Sequence, residues 1–85
     1  MESIQSKMQM VGYHTFQNKE KTKRFFIIQC LSTQKVKDDL KSTVVNIFVE
    51  PSVYSEIVAM DFGSELTVES SINFETNKPS HKIIL

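Results

Sequence analysis

Apolar and polar residues alternate with a period of two along most of this chain, which is the signature of strands that bury one face. The clearest case is residues 64–75, where Leu66, Val68, Ile72 and Phe74 share one parity and Glu65, Thr67, Glu69, Ser71, Asn73 and Glu75 the other. That pattern predicts a strand with the first set facing inward. Residues 43–50 behave alike: Val45, Ile47 and Val49 form a clean apolar face, and Val44, Asn46, Phe48 and Glu50 form the other, with Phe48 its aromatic exception. Residues 3–16 read as a first strand, with Ile4, Met8 and Met10 on one parity, and Gly12 within it marks a bulge or sharp bend.

Residues 24–33 are a second strand in which both parities are apolar, Phe25, Ile27 and Leu31 against Phe26, Ile28 and Cys30. The flanking Arg24 and Ser32 belong to the second set, so the first set is expected inside. The period changes after Pro51. Ser52 is a candidate cap, and Val53, Ile57 and Met60 recur at helical spacing, which predicts a short helix over 52–60, with Gly63 in the reversal after it. Polar residues 17–23 and 34–42 read as connections, 76–80 as a turn, and HKIIL at 81–85 as a closing strand.

Five strands with one helix between the third and fourth follow the order of the OB-fold, a small all-β Greek-key barrel that binds oligonucleotides and oligosaccharides. An SH3-like barrel or an open α+β sheet would also accommodate the pattern. The 85 residues make one domain, 1–85, with a small core. The one cysteine excludes an internal disulfide framework and fits a reducing cytosol. No apolar run reaches membrane-spanning length, so a cytoplasmic, soluble chain is expected.

Charge sharpens this picture. The ten basic and ten acidic side chains cancel, yet they are segregated. Residues 1–41 carry eight basic and four acidic residues, residues 42–77 six acidic and no basic ones, and Lys78 and Lys82 follow. A cationic groove beside aromatic platforms is what single-strand binding requires, because phosphates need counter-charge and every base offers a π-face. An OB-type binding face would collect Lys19, Lys21, Lys23 and Arg24 from the first loop and Lys78 from the last. It would add Lys35 and Lys37 from the second–third connection and the rings of Tyr13, Phe16, Phe26 and Phe48. Each ring could instead be packing, and each lysine an ordinary solvated side chain. The acidic half, with Glu65, Glu69 and Glu75 on one strand face, could pack against the basic side of a second subunit, or act as an adaptor or nucleic-acid mimic that docks on a basic protein, or simply be a wet outer face.

Catalysis finds little support. His14 and His81 have no metal-ligand spacing with Cys30, which sits among apolar neighbours, and no Gly-rich phosphate loop occurs, so neither enzyme activity nor a cofactor is expected.

The apolar second strand, the third strand TVVNIFVEP and above all ELTVESSINFETNKPSHKIIL lie in the order found in small single-stranded-DNA-binding proteins of phages and plasmids, which this chain resembles. GSELTVESSINF is also similar to the fourth strand of cellular single-strand-binding domains. The resemblance implies an OB-fold, sequence-tolerant binding of single-stranded DNA during replication or transfer of a mobile element, and a DNA-binding wing at the second–third hairpin. A homodimer is expected from the small size of the chain and its two-sign charge pattern. The near-zero net charge departs from the basic character usual in such proteins.

Overall fold

The structure, a computed structural model, describes residues 3–85. Its elements are β1 (Ser3–Gln17), β2 (Arg24–Val36), β3 (Asp39–Val49), α1 (Pro51–Val58), β4 (Glu65–Asn73) and β5 (Lys78–Ile84). The five strands form one antiparallel sheet in the order β3-β2-β1-β4-β5. It curls until β3 and β5 stand side by side, with shallow grooves along the seam: Asn46–Phe48 beside Pro79–His81, and Phe48–Glu50 beside Lys82 and Ile83. This is the expected OB-like five-stranded architecture with one short helix between β3 and β4, the barrel remaining half open at the seam.

The curl starts in β1. Its first half, Ser3–Gln9, pairs with β4, and its second half, to Gln17, pairs with β2. The register slips between Met10 and Gly12, so the expected bend is a bulge. Backbone bonds hold it: Met10 N–H donates to the Ser64 carbonyl (2.9 Å), and Gly63 N–H to the Met10 carbonyl (2.7 Å). Gly63 makes its reversal at φ +86°, a conformation that glycine adopts freely. At Gly12 the absent side chain leaves room for the Gln29 amide, which a Cβ there would overlap.

Met8, Met10, Ile28, Cys30, Ile47, Leu66, Val68 and Ile83 fill the inside, and α1 covers one mouth of the barrel with fully buried Ile57. Val45, Val49, Val53 and Tyr54 pack around that core, so the inward face expected of β3 is the observed one.

Several expectations are corrected. In β2 the inner parity is Phe26, Ile28 and Cys30, not Phe25, Ile27 and Leu31. Ile28 lies opposite inward-facing Ile47, and directly opposed residues share a face. The second–third connection is far shorter than residues 34–42. β2 and β3 continue as a two-stranded ribbon to the pair Val36–Asp39, leaving Lys37 and Asp38 as the turn, Lys37 at φ 58°. Ladder hydrogen bonds between polar residues hold this ribbon without burial. The helix begins at Pro51, not Ser52: Glu50 is its cap residue and makes no side-chain bond, while proline's fixed φ and missing N–H suit the first turn. It ends at Val58, which leaves Met60 outside it and exposed. In β4 only Leu66 and Val68 are core. Ile72 and Phe74 keep the alternation beyond the barrel's end and are exposed. Finally, β5 begins at Lys78, earlier than residue 81.

Candidate nucleic-acid interface

The β1–β2–β3 part of the sheet has an outer surface whose membership follows from register. Phe16 lies opposite Phe25, His14 opposite Ile27, and Ile27 opposite Phe48. Three rings therefore meet outside the barrel at one end of these strands. Phe16 and Phe25 stack at 5.0 Å between centroids and 25° between planes. Phe48 stands edge-on to both, 6.4 Å from Phe16 and 6.1 Å from Phe25. Ile27 lies in their midst at 5% exposure, while Phe48 remains 62% and Phe16 42% exposed. Gln29 and Asn46 form the next outer pair, facing Gly12 across β1–β2. The surface is thus aromatic at one end and amide-lined beside it.

The β1–β2 loop adjoins the rings. Asn18 organises it: its Oδ1 accepts from the backbone N–H of Thr22 (2.9 Å) and Lys23 (3.2 Å), and its Nδ2 donates to Thr22 Oγ1 (2.9 Å). The Asn18 N–H also donates to the Lys23 carbonyl, and Lys21 N–H to the Asn18 carbonyl, with Lys21 in the left-handed region at φ 57°. A polar side chain closing its own loop in this way is an Asx-type turn. It leaves Lys19, Lys21 and Lys23 exposed, with the Lys23 ammonium 5.2 Å above the centre of the Phe25 ring, a cation–π contact.

The structure does not bring all expected residues to this surface. Tyr13, Arg24 and Phe26 lie on the opposite face of the β1–β2 ribbon. Tyr13 opposes core Ile28, and Phe26 opposes Thr15 and Val49. Phe26 packs on Tyr54 at 5.0 Å. Tyr13 meets Tyr54 edge-on at 5.9 Å and stacks on Phe62 at 5.7 Å, with their planes 1° apart. Arg24 is held there by a 2.9 Å bond from Nη1 to Thr15 Oγ1. These residues build a second aromatic group beside α1.

Lys35 is on the outer face, opposite Leu40, but ten residues along β2 from Phe25, about 33 Å at ~3.3 Å per residue. Lys37 is at the ribbon's turn, and Lys78 opens β5 opposite Asn73. Phe16, Lys19, Lys21, Lys23 and Phe48 therefore come together, Lys35 shares their face at a distance, and Lys37 and Lys78 stand apart.

Sequence reasoning missed Phe25, which it placed in the core, and Phe62. The signal for Phe25 was indirect. The clean inner face of β3 fixes the parity of β2 once a two-residue turn is assumed, and it makes Phe25 the outer-face companion of Phe48.

Elsewhere the acidic residues do not make a continuous row. Glu65 and Glu69 share the outer face of β4, but Lys7 donates from Nζ to Thr67 Oγ1 between them (2.7 Å), and Lys82 lies directly opposite Glu69. Glu75 is in the β4–β5 turn. Cys30 is sealed in the core, where burial pushes its thiol pKa up, away from the nucleophilic thiolate. His81 Nδ1 bonds Ser70 Oγ at 2.8 Å. No helix among the described residues is long and apolar enough to cross a membrane.

Comparison of the chain with protein-family models, curated proteins and solved structures finds no match. The functional reading therefore rests on the surface itself and on the sequence resemblance.

Proposed function

We propose that this protein binds single-stranded DNA with little sequence preference on the outer face of β1–β2–β3, without catalysis. The observation that carries this reading is the cluster of Phe16, Phe25 and Phe48 outside the barrel, adjoining the exposed lysines of the β1–β2 loop. Two rings left largely in water, Phe16 and Phe48, beside half-buried Phe25 have an unfavourable exposure that a stacked base would relieve. Phe48 and Phe16 offer the open faces. Lys23 covers Phe25, and turning its ammonium to a phosphate would free that ring for a second base. Lys19 and Lys21 would hold the neighbouring phosphates. Stacking on a ring face does not distinguish bases, hence the tolerance of sequence. Lys35 would meet a strand continuing along the ribbon.

The resemblance to phage and plasmid proteins supports placing this activity in the host cytoplasm, protecting single-stranded intermediates of a mobile element. The interleaving of Lys7 and Lys82 with Glu65 and Glu69 weighs against an acidic docking face for a basic protein.

The test is a fluorescence titration of labelled oligo-dT at rising salt. Affinity falls steeply with salt, and replacing Lys19, Lys21 and Lys23 together by Ala flattens the log–log slope by about 0.7 for each phosphate no longer neutralised. Absence of binding at low salt would overturn the reading.

A further inference from the structure

β3 ends the sheet, and β5 does not cover its whole length. The grooves of the β3–β5 seam take their β3 residues only from Asn46 to Glu50. Among the described residues, the strand from Asp39 to Val45 therefore has one row of backbone N–H and C=O groups without a strand partner. An open edge is a template for another strand. It also carries two of the more exposed aliphatic side chains of the molecule, Leu40 at 71% and Val44 at 50%, both on the outer face opposite Lys35 and Leu31.

We infer that this edge pairs with the same edge of a second copy, antiparallel and centred on Ser42, joining two sheets across a two-fold axis. The sequence selects both the partner and the register. An axis normal to the sheet keeps outer residues opposite outer residues, so registers differ in steps of two. Centred on Ser42, Leu40 opposes Val44 of the second copy and Val44 opposes its Leu40. Both exposed aliphatics are covered, and Lys41 faces Thr43. Centred on Lys41, the two Lys41 side chains would oppose each other, and like charges directly opposite destabilise. Centred on Leu40, only the Leu40 pair meets and Val44 stays in water. Centred on Thr43, Leu40 meets Asn46. The Ser42 register is thus the self-complementary one, as a two-fold interface requires. It continues the outer faces of the two copies into one surface with an aromatic cluster towards either end. The pairing itself needs no nucleic acid.

Sedimentation velocity on the full chain over a concentration series, without nucleic acid, reads the association. A monomer–dimer equilibrium is expected, and Leu40→Lys should raise the dimer dissociation constant at least about tenfold, as uncovering one leucine side chain on each copy implies. Leu40 is already exposed, so circular dichroism of this variant should match the parent. Cross-linking fixes the register. Directly opposed residues have Cα atoms about 4.5–5.5 Å apart, within disulfide reach, whereas the two Leu40 positions would lie roughly 13 Å apart. Ser42→Cys should form a disulfide dimer under mild oxidation and Leu40→Cys should not. The buried thiol of Cys30 is protected from the oxidant in both. A chain monomeric throughout the series, an unchanged equilibrium for Leu40→Lys, or faster cross-linking of Leu40→Cys than of Ser42→Cys would each overturn the inference.

Discussion

Replacing Phe48 by alanine separates a binding ring from a packing ring. Phe48 is 62% exposed and touches Phe16 and Phe25 only edge-on. Its removal leaves no core cavity, and the loss of stability is that of weak aromatic contacts, about 1 kcal/mol. If a base stacks on it, the lost binding is roughly 1–3 kcal/mol, or about 5- to 150-fold in affinity. Phe26→Ala is the matched control. Phe26 is half-buried on the inner side, opposite Val49 and against Tyr54, so its loss costs stability, about 1–3 kcal/mol, and leaves the outer face intact. Anisotropy of labelled oligo-dT gives affinity, and urea denaturation gives stability. The two variants should cross over, Phe48→Ala losing affinity with little stability and Phe26→Ala the reverse. Equal affinity of Phe48→Ala and the parent, or an equal affinity loss in folded Phe26→Ala, would refute the assignment of these rings.

The same geometry sets further expectations. Ile28→Ala, at a fully buried position facing Ile47, should cost about 2–5 kcal/mol in urea denaturation. Gly12→Ala should cost little, under about 1 kcal/mol, because the new methyl meets only the movable end of the Gln29 side chain, and Gln29→Ala should remove even that loss. Burial raises the Cys30 pKa, so the thiol is less acidic folded than unfolded. Its contribution is therefore fully present below the unfolded thiol pKa, about 8.5, and is lost as pH rises beyond it. Stability of the parent should fall more steeply above that pH than stability of Cys30→Ala.

The number and order of strands, the helix between the third and fourth, and the bulge near Gly12 were legible because each rests on local periodicity or on one residue with unusual freedom. Facing was legible where one side of a strand is polar, as in β3 and the first half of β4. It failed in β2. Being central in the sheet, β2 has the core on one side and an aromatic cluster on the other, so both parities are apolar and flanking Arg24 and Ser32 misled. That failure exchanged Phe25 for Phe26 in the expected site and put Arg24 on the wrong face, while Tyr13 turns inward because the register slip between Met10 and Gly12 reverses the alternation of β1. Alternation also does not reveal where a barrel ends. Ile72 and Phe74 continue the β4 pattern into solvent, and Gln34 to Ser42 look like a polar loop although their backbones ladder to a two-residue turn. Of the lysines, the cluster in one short loop was legible from sequence spacing alone, while the separation of Lys35 and Lys37 from it needed the length of β2.

The most direct measurement is a two-dimensional NMR titration of the full chain with oligo-dT at low salt. Binding on the outer face should concentrate the shifts at residues 14–16, 18–25 and 46–48, with the ring signals of Phe16, Phe25 and Phe48 moving most. Shifts centred instead on Tyr13, Tyr54 and Phe62, or none anywhere at saturating oligonucleotide, would contradict it.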